Sequence, residues 1–219
     1  SIVQSKRGND AAFLNTAWTI QCLRGASLWL ASWAIAWPVA AFYGQPALGW
    51  LIPAAGLTAL VEGFESTSVR TLQRHLRRER LTIAELLRQV VGAVVTVGLA
   101  LAFRTLRGPN DPQAIWAIVG GSLASSAAWV GLSHAFLPGI RNRFQLEREA
   151  SRHLFAFGRW IFVSTLLTFL AGQSDRLIFG KMIPIGLLGV YSVALTLALL
   201  PTEAVAKLEL AHAVITPVD

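Results

Sequence analysis

Residues 25–61 read "GASLWLASWAIAWPVAAFYGQPALGWLIPAAGLTALV", from Gly25 to Val61, and these 37 residues contain no Asp, Glu, Lys or Arg. A helix needs about 20 mostly apolar residues to cross a bilayer core of about 30 Å, so this stretch is long enough for two crossings. Gly44 and Pro46 near its middle are typical of a turn between the two. The strands of a membrane barrel alternate apolar with polar residues, and this stretch does not.

The composition of the whole chain agrees with a membrane protein. Of its 219 residues, 54% are hydrophobic and only 14% are charged, and the mean hydropathy is +0.53. Soluble domains are about 25% charged. Two further stretches, 112–140 and 182–202, hold 29 and 21 residues without Asp, Glu, Lys or Arg. The sequence therefore predicts an all-α fold, a polytopic membrane helix bundle.

Six transmembrane helices are predicted, and the chain is predicted to be part of a longer protein. It begins at Ser1, its only methionine is Met182, and no signal peptide precedes the first span. The lone cysteine, Cys22, excludes an internal disulfide and is predicted to be a small apolar filler inside a span. The predicted spans cover about 15–42, 47–72, 83–103, 113–137, 154–172 and 186–208.

Basic residues are concentrated in alternate connections between the spans. One set of connections carries 11 of them and the other set carries four. Short basic loops stay in the cytoplasm, so the Arg-rich links are predicted to be cytoplasmic. Because topology accounts for this pattern, the net charge of +7 does not indicate a nucleic-acid partner. The 11 residues are Lys6, Arg7, Arg70, Arg74, Arg77, Arg78, Arg80, Arg141, Arg143, Arg148 and Arg152.

No pattern typical of an enzyme or a cofactor site is present in the sequence. The four histidines are far apart and lack metal-ligand spacing. There is no phosphate-binding P-loop, no dinucleotide-binding glycine motif and no GxSxG elbow. We therefore expect a protein without catalytic activity, metal or cofactor, in which any transport draws on a gradient.

Several ionisable residues lie inside the predicted spans, where they are costly and usually face a bundle interior or water. Glu62 and Glu65 lie within the second span or at its cytoplasmic end. They are either candidates for ion coupling or interfacial residues close to Arg70. Arg24 and Arg159 lie inside the first and fifth spans, where they either line a water-filled path or extend to the lipid headgroups.

A further pair of charges, Asp175 and Arg176, follows the apolar residues 160–174. At 1.5 Å per residue, these 15 residues cover about 22 Å, which is less than the hydrocarbon thickness. We expect the helix to continue and to place both charges in the outer half of the bilayer. There they either pair with each other or with another helix, or they face an aqueous lumen.

Small residues at helical spacing predict close contact between two helices. Ala117, Gly121 and Ser125 follow each other at intervals of four, and Gly92 and Thr96 form a shorter stripe. Stripes of this kind let neighbouring helices approach closely, so we assign them to packing.

At the residues around Asp175 the chain resembles a known family. The motifs FGRW (157–160), QSDRL (173–177), GKM (180–182) and LGVYS (188–192), in that order, resemble the seventh and eighth helices of bacterial polysaccharide exporters, the O-antigen and lipid-linked oligosaccharide flippases. These belong to the multidrug/oligosaccharidyl-lipid/polysaccharide exporter superfamily. "DAAFLNTAWTIQ" (10–21) and "GFESTSVRTLQRHLRRERL" (63–81) resemble that family's third helix, fourth helix and following loop.

The resemblance implies an organisation that spacing does not show. Such exporters have about 12 to 14 spans in two lobes around a central cavity, in the bacterial cytoplasmic (inner) membrane. The six spans here correspond to helices three to eight. Residues 1–138 are then part of the first lobe, 139–152 a cytoplasmic inter-lobe linker, and 153–219 the start of the second lobe. The resemblance therefore implies a partial two-lobe exporter fold.

The resemblance also implies a function, namely flipping of undecaprenyl-diphosphate-linked oligosaccharide for lipopolysaccharide O-antigen or a similar surface polysaccharide. Arg24, Arg159, Asp175 and Arg176 are then candidates for the substrate path, and Glu62 and Glu65 for ion coupling. A polysaccharide polymerase and glycosyltransferases are expected partners. Two alternatives remain: a cation-coupled exporter of the multidrug type, and a non-transporting membrane scaffold for polysaccharide synthesis.

Overall fold

A computed structural model describes the backbone of residues 10–74, 78–108, 112–137 and 142–215. Within these ranges, the side chains of 73–74, 78, 149–150, 153–159, 161–162, 185, 203–204 and 206–215 are outside the description. Only helices, turns and extended segments occur in the described ranges, so the predicted all-α fold is confirmed. The helices are α1 (Ala11–Tyr43), α2 (Leu48–Gly63), α3 (Ser68–Arg74), α4 (Arg78–Arg107), α5 (Ile115–Ala135), α6 (Arg148–Met182) and α7 (Ile185–Ile215).

The helices agree in position with the predicted spans. Three segments among the described residues are long and apolar enough to cross a membrane: Ala11–Tyr43, Glu79–Arg107 and Pro112–Ala135. The last of these joins a short 3-10 turn to α5. Leu48–Gly63 and Gly186–Thr202 are shorter apolar helices. The predicted continuation of the helix through Asp175 and Arg176 is confirmed, since α6 runs on to Met182.

The second predicted span differs from the structure, because residues 64–67 interrupt the helix between α2 and α3. Groups from α1 and α5 bind the backbone freed by this break. The Phe64 carbonyl accepts from Trp18 Nε1 at 3.4 Å and contacts His134 Nε2 at 2.8 Å. The Ser133 hydroxyl accepts from the Ser66 N–H at 3.0 Å. Helices end where such partners replace the regular hydrogen bonds, and no periodicity in the sequence reveals those partners.

Small residues set the packing of α1 to α5. α2 packs against α1 and α5, and α4 packs against α5. A Cβ added at Gly25 would lie 2.6 Å from the Ala59 carbonyl oxygen, so α1 and α2 approach closely there. One at Gly121 would lie 2.9 Å from the Gly92 carbonyl oxygen, and one at Gly92 would lie 3.0 Å from Ser125 Cβ. The predicted small-residue stripes of α4 and α5 therefore contact each other, as expected.

The chain divides into two compact units, one extending to Phe162 and the other beginning at Val163. In the first unit, the start of α1, the loop 64–67, the end of α5 and the segment 142–147 come together at one end. The Arg-rich links leave from this end, which we call the Arg-rich end. The division into lobes at 139–152 stays a prediction.

Candidate functional site

Glu62, in the last turn of α2, lies at the centre of a polar cluster formed by three helices. Arg88 of α4 places Nη1 at 3.6 Å from Glu62 Oε1, and Ser126 of α5 donates its hydroxyl to the same oxygen at 3.0 Å. Arg88 Nε also lies 3.5 Å from Glu85 Oε1. We call Glu62, Glu85, Arg88, Ser126 and Trp129 the Glu62–Arg88 cluster.

Packing fixes the position of Arg88 in this cluster. Its guanidinium carbon lies 5.4 Å from the centre of the Trp129 ring, a distance that favours a cation–π contact. The Ser125 hydroxyl donates to the Arg88 carbonyl oxygen at 3.3 Å, which ties α5 to α4 at this level. The side chains of Arg88 and Glu62 are 30% and 45% exposed, so the pair is open on one side. Because two carboxylates neutralise Arg88, the cluster is a weak site for an anionic ligand.

Glu65 belongs to the loop after α2 and interacts both with Arg70 and with Trp129 of the Glu62–Arg88 cluster. Its carboxylate lies 3.7 Å from Arg70 Nη2, and only 12% of its side chain is exposed. The predicted proximity of Glu65 to Arg70 is therefore seen in the structure. Burial raises the pKa of the Glu65 carboxyl, and the neighbouring Arg70 charge opposes this rise without cancelling it. A carboxyl with a raised pKa takes up a proton more readily than a free one.

The remaining candidates of the first unit are separate from this cluster or lie outside the description. Arg24 is exposed on α1. Arg159 lies in the helical backbone of α6, but its side chain is outside the described residues. No group of three or more potential metal ligands is found in the part of the chain that the structure describes.

In the second unit, Asp175 of α6 is paired with a residue of the next helix. The Tyr191 hydroxyl of α7 donates to Asp175 Oδ2 at 2.6 Å, and the Phe179 and Tyr191 rings meet edge to face at 5.3 Å. Asp175 belongs to the motif QSDRL and Tyr191 to LGVYS, so one hydrogen bond joins the two motifs. Of the alternatives open for Asp175, the structure shows a pair with another helix.

Arg176 has weaker partners than its neighbour in sequence. Its Nη1 donates to Gln173 Oε1 at 3.3 Å, one turn earlier on α6. Its Nε is buried and has no hydrogen-bond partner among the described residues. An unsatisfied buried donor is costly, and an oxyanion would satisfy it. Arg176 is therefore the strongest candidate for anion binding among the predicted site residues whose side chains are described.

Arg88 and Tyr191 were not among the predicted site residues, and the sequence contained a signal for each. Arg88 and Glu85 lie inside the third predicted span, where charged residues usually have a structural or functional role. Tyr191 is the only polar aromatic residue of the charge-free stretch 182–202. Its partner was not predictable, because the pairing depends on the register of α6 and α7.

Comparison with known proteins gives the family. Residues 1–218 match a family described as polysaccharide biosynthesis protein. The chain belongs to this family. It is 33% identical over 173 residues to the amylovoran biosynthesis protein AmsL of Erwinia amylovora, a match that covers 78% of this chain and 42% of AmsL. No solved structure matches the chain.

This membership confirms the resemblance to polysaccharide exporters that the motifs indicated. The matched region of AmsL is less than half of that protein, so the chain spans only part of the relative's length. With its apolar helices, this member of the polysaccharide biosynthesis protein family is a membrane protein.

Proposed function

We propose that the protein exports lipid-linked oligosaccharide repeat units for a cell-surface polysaccharide such as O-antigen. The substrate is an undecaprenyl-diphosphate-linked oligosaccharide, and the protein moves it to the outer leaflet by alternating access. One observation carries the proposal: two motifs of the exporter resemblance meet at the Asp175–Tyr191 hydrogen bond, beside an arginine whose Nε lacks a partner among the described residues. In this proposal the protein positions and moves its substrate without any covalent chemistry.

The chemistry of the substrate explains why arginines matter. A diphosphate presents several anionic oxygens, and the planar guanidinium group binds two of them at once. Arg176 offers a donor that is not yet satisfied, and Arg24 is exposed on α1. Charged groups on membrane helices usually face the bundle interior or water, so these arginines and Arg159 are the residues that we assign to the substrate path.

The protein is expected to be a multi-pass protein of the bacterial inner membrane, with the Arg-rich end in the cytoplasm. Within the first unit, the links that carry most basic residues leave from the same end, as the positive-inside rule requires. A reporter fused after Arg78 should behave as cytoplasmic, and one fused after Gln45 as periplasmic. Reporters with the opposite behaviour would overturn this orientation.

The cation-coupled multidrug exporter is the second candidate, and in that function Glu62 would be the ion-coupling carboxylate. An ion-coupling carboxylate has to bind and release a cation during each cycle. Glu62 is already bound by Arg88 and Ser126, and this arrangement suits a structural role better. The third candidate, a scaffold for a polymerase and glycosyltransferases, predicts that arginines of the substrate path are dispensable.

A deletion strain distinguishes the three functions. Without an exporter, the strain should lose surface polysaccharide and accumulate the lipid-linked oligosaccharide on the cytoplasmic side, where added glycosidases do not reach it in spheroplasts. The unmodified gene should restore display, whereas Arg24→Ala and Arg159→Ala variants at normal protein level should restore it poorly. Full display with all arginine variants would support the scaffold. Normal display in the deletion strain, with increased drug sensitivity, would support the multidrug exporter.

A further inference from the structure

The segment 142–147, which follows α5, has no regular secondary structure and runs along the start of α1. We call it the strap. The family resemblance implied that these residues belong to a cytoplasmic inter-lobe linker, 139–152. In the structure they belong to the first compact unit, which continues to Phe162.

Three backbone N–H groups of the strap donate to side chains of α1. The Arg143 N–H donates to Asn15 Oδ1 at 3.1 Å, and the Gln145 N–H donates to Thr19 Oγ1 at 3.0 Å. The Glu147 N–H donates to Thr16 Oγ1 at 3.0 Å. These donors are every second residue of the strap.

The side chains of α1 that accept hydrogen bonds from the strap are buried, and two of them also donate within α1. Thr16 is 0% exposed, and its hydroxyl also donates to the Ala12 carbonyl oxygen of its own helix at 2.8 Å. Thr19 donates in the same way to the Asn15 carbonyl oxygen at 2.9 Å. Each hydroxyl therefore donates within α1 and accepts one hydrogen bond from the strap. The buried polar face of α1 is thus complementary to the strap.

The first residue of the strap binds the loop between α2 and α3. Asn142 Oδ1 accepts from Ser66 Oγ at 3.0 Å and from the Thr67 N–H at 3.3 Å, and its Nδ2 donates to Thr67 Oγ1 at 2.7 Å. The Phe144 ring lies 4.7 Å from the ring of Trp18. The strap therefore holds α1 and the α2–α3 loop together at the Arg-rich end.

We propose that the polar face of α1, formed by Asn15, Thr16 and Thr19, is a docking surface for the strap, and that the strap stays docked during transport. The strap is then a fixed part of the first unit. The second half of this proposal rests on the proposed function, since it concerns the transport cycle. The docking itself does not depend on transport.

The first test is amide hydrogen exchange on the full-length protein in lipid nanodiscs. In the unmodified protein, the amides of peptides covering 142–147 should exchange at least about tenfold more slowly than in a Thr16→Val/Thr19→Val variant. The variant loses protection because valine cannot accept the hydrogen bonds of the strap. Thr58→Val is the matched control, since the Thr58 hydroxyl donates to the Ala55 carbonyl oxygen of its own helix. Addition of undecaprenyl diphosphate should leave the exchange of the strap unchanged. The proposal would be overturned if the strap exchanged as fast in the unmodified protein as in the double variant. Faster exchange of the strap after addition of undecaprenyl diphosphate would also overturn it.

The second test fixes the strap covalently. The Asn15 and Gln145 side chains are joined by a 3.2 Å hydrogen bond, so cysteines at these positions, with Cys22→Ser, are within reach of a short cleavable dithiol crosslinker. Proteoliposomes with the crosslinked protein should translocate lipid-linked oligosaccharide within twofold of the uncrosslinked protein. Lost transport that returns on cleavage would show that the strap has to undock. If neither the crosslinked nor the uncrosslinked protein translocates lipid-linked oligosaccharide, the proposed function is wrong. The hydrogen-exchange experiment then still tests whether the strap is docked on α1.

Discussion

Arg88 in the first unit and Arg176 in the second both lie inside long helices, yet their surroundings differ. Arg88 contacts two carboxylates and lies over the Trp129 ring. The Arg176 guanidinium donates to the Gln173 side-chain oxygen, and the Asp175 carboxylate beside it accepts from the Tyr191 hydroxyl. Arg88 is therefore held by two carboxylates and an aromatic ring, whereas Arg176 has a buried Nε without a hydrogen-bond partner among the described residues.

This difference separates two uses of arginine in a membrane protein. A neutralised arginine links helices, and in the first unit it joins α2, α4 and α5. An arginine with a buried donor that lacks a partner is costly unless a ligand or water compensates it. We therefore expect substitutions at Arg88 to affect stability, and substitutions at Arg176 to affect transport.

The largest expected effect is that of Arg176→Ala. Surface polysaccharide should fall at least about tenfold while the protein level stays unchanged, because a charge-assisted hydrogen bond to a substrate contributes about 1.5–3 kcal/mol. Arg176→Lys keeps the charge without the planar fork and should retain intermediate display. Immunoblots of polysaccharide and of protein measure both quantities. Unchanged display in Arg176→Ala would remove this arginine from the substrate path.

Arg88→Met should act on stability instead. It leaves the carboxylates of Glu62 and Glu85 without their cation and should lower the free energy of unfolding by about 1–2 kcal/mol, a value reduced because water reaches the pair. Thermal unfolding in detergent measures the loss.

Glu62→Gln is the control for this interpretation. In the Arg88→Met background it removes an unpaired charge and should recover part of the melting temperature, whereas alone it should destabilise the protein. Additive losses in the double variant would show that the two side chains do not interact.

Tyr191→Phe should have a smaller effect, confined to the second unit. It removes the hydrogen bond to Asp175 but keeps the ring that contacts Phe179, so we expect a loss of about 1 kcal/mol and a partial loss of display. Thr196→Val on the same helix is the matched control, since its hydroxyl donates to the Ser192 carbonyl oxygen of that helix. If Tyr191→Phe and Thr196→Val behave alike, the bond between the two motifs is unimportant.

The smallest expected effect is that of Glu65→Gln. The pKa of Glu65 is raised in the folded state, so the folded protein binds this proton more tightly than the unfolded chain. The contribution of Glu65 to stability is therefore most favourable at acidic pH and declines as pH rises through its ordinary pKa towards the raised value. Glu65→Gln should slightly raise the melting temperature at pH 7 and flatten this pH dependence. A lower melting temperature at pH 7 would show that the Arg70 contact outweighs burial.

The helices themselves were largely predictable. Charge-free stretches with the length of a bilayer crossing anticipated α1 and α5, and the predicted span 83–103 anticipated α4. The stripes at Gly92 and Gly121 anticipated the contact between α4 and α5. The break at 64–67 was not predicted. Its hydrogen bonds come from Trp18, Ser133 and His134, which are distant in sequence.

The candidate site was predictable in its residues but less so in its pairings. The sequence singled out Glu62, Glu65, Asp175 and Arg176 because ionisable groups are rare in apolar helices. It did not reveal that Glu62 binds Arg88 or that Asp175 binds Tyr191. Each of these pairs joins two helices, so it depends on their rotation and register.

The amino-acid sequence by itself determined that this protein is helical and suited to a membrane, because hydrophobicity over about 20 residues is a local property of the chain. It also determined which ends of the helices carry the basic residues. Only the tertiary structure decided which charges are neutralised, where α2 stops and that residues 142–147 lie against α1. Those outcomes depend on hydrogen bonds between residues up to 131 positions apart, such as that from Glu147 to Thr16, and they exist only once the helices have packed.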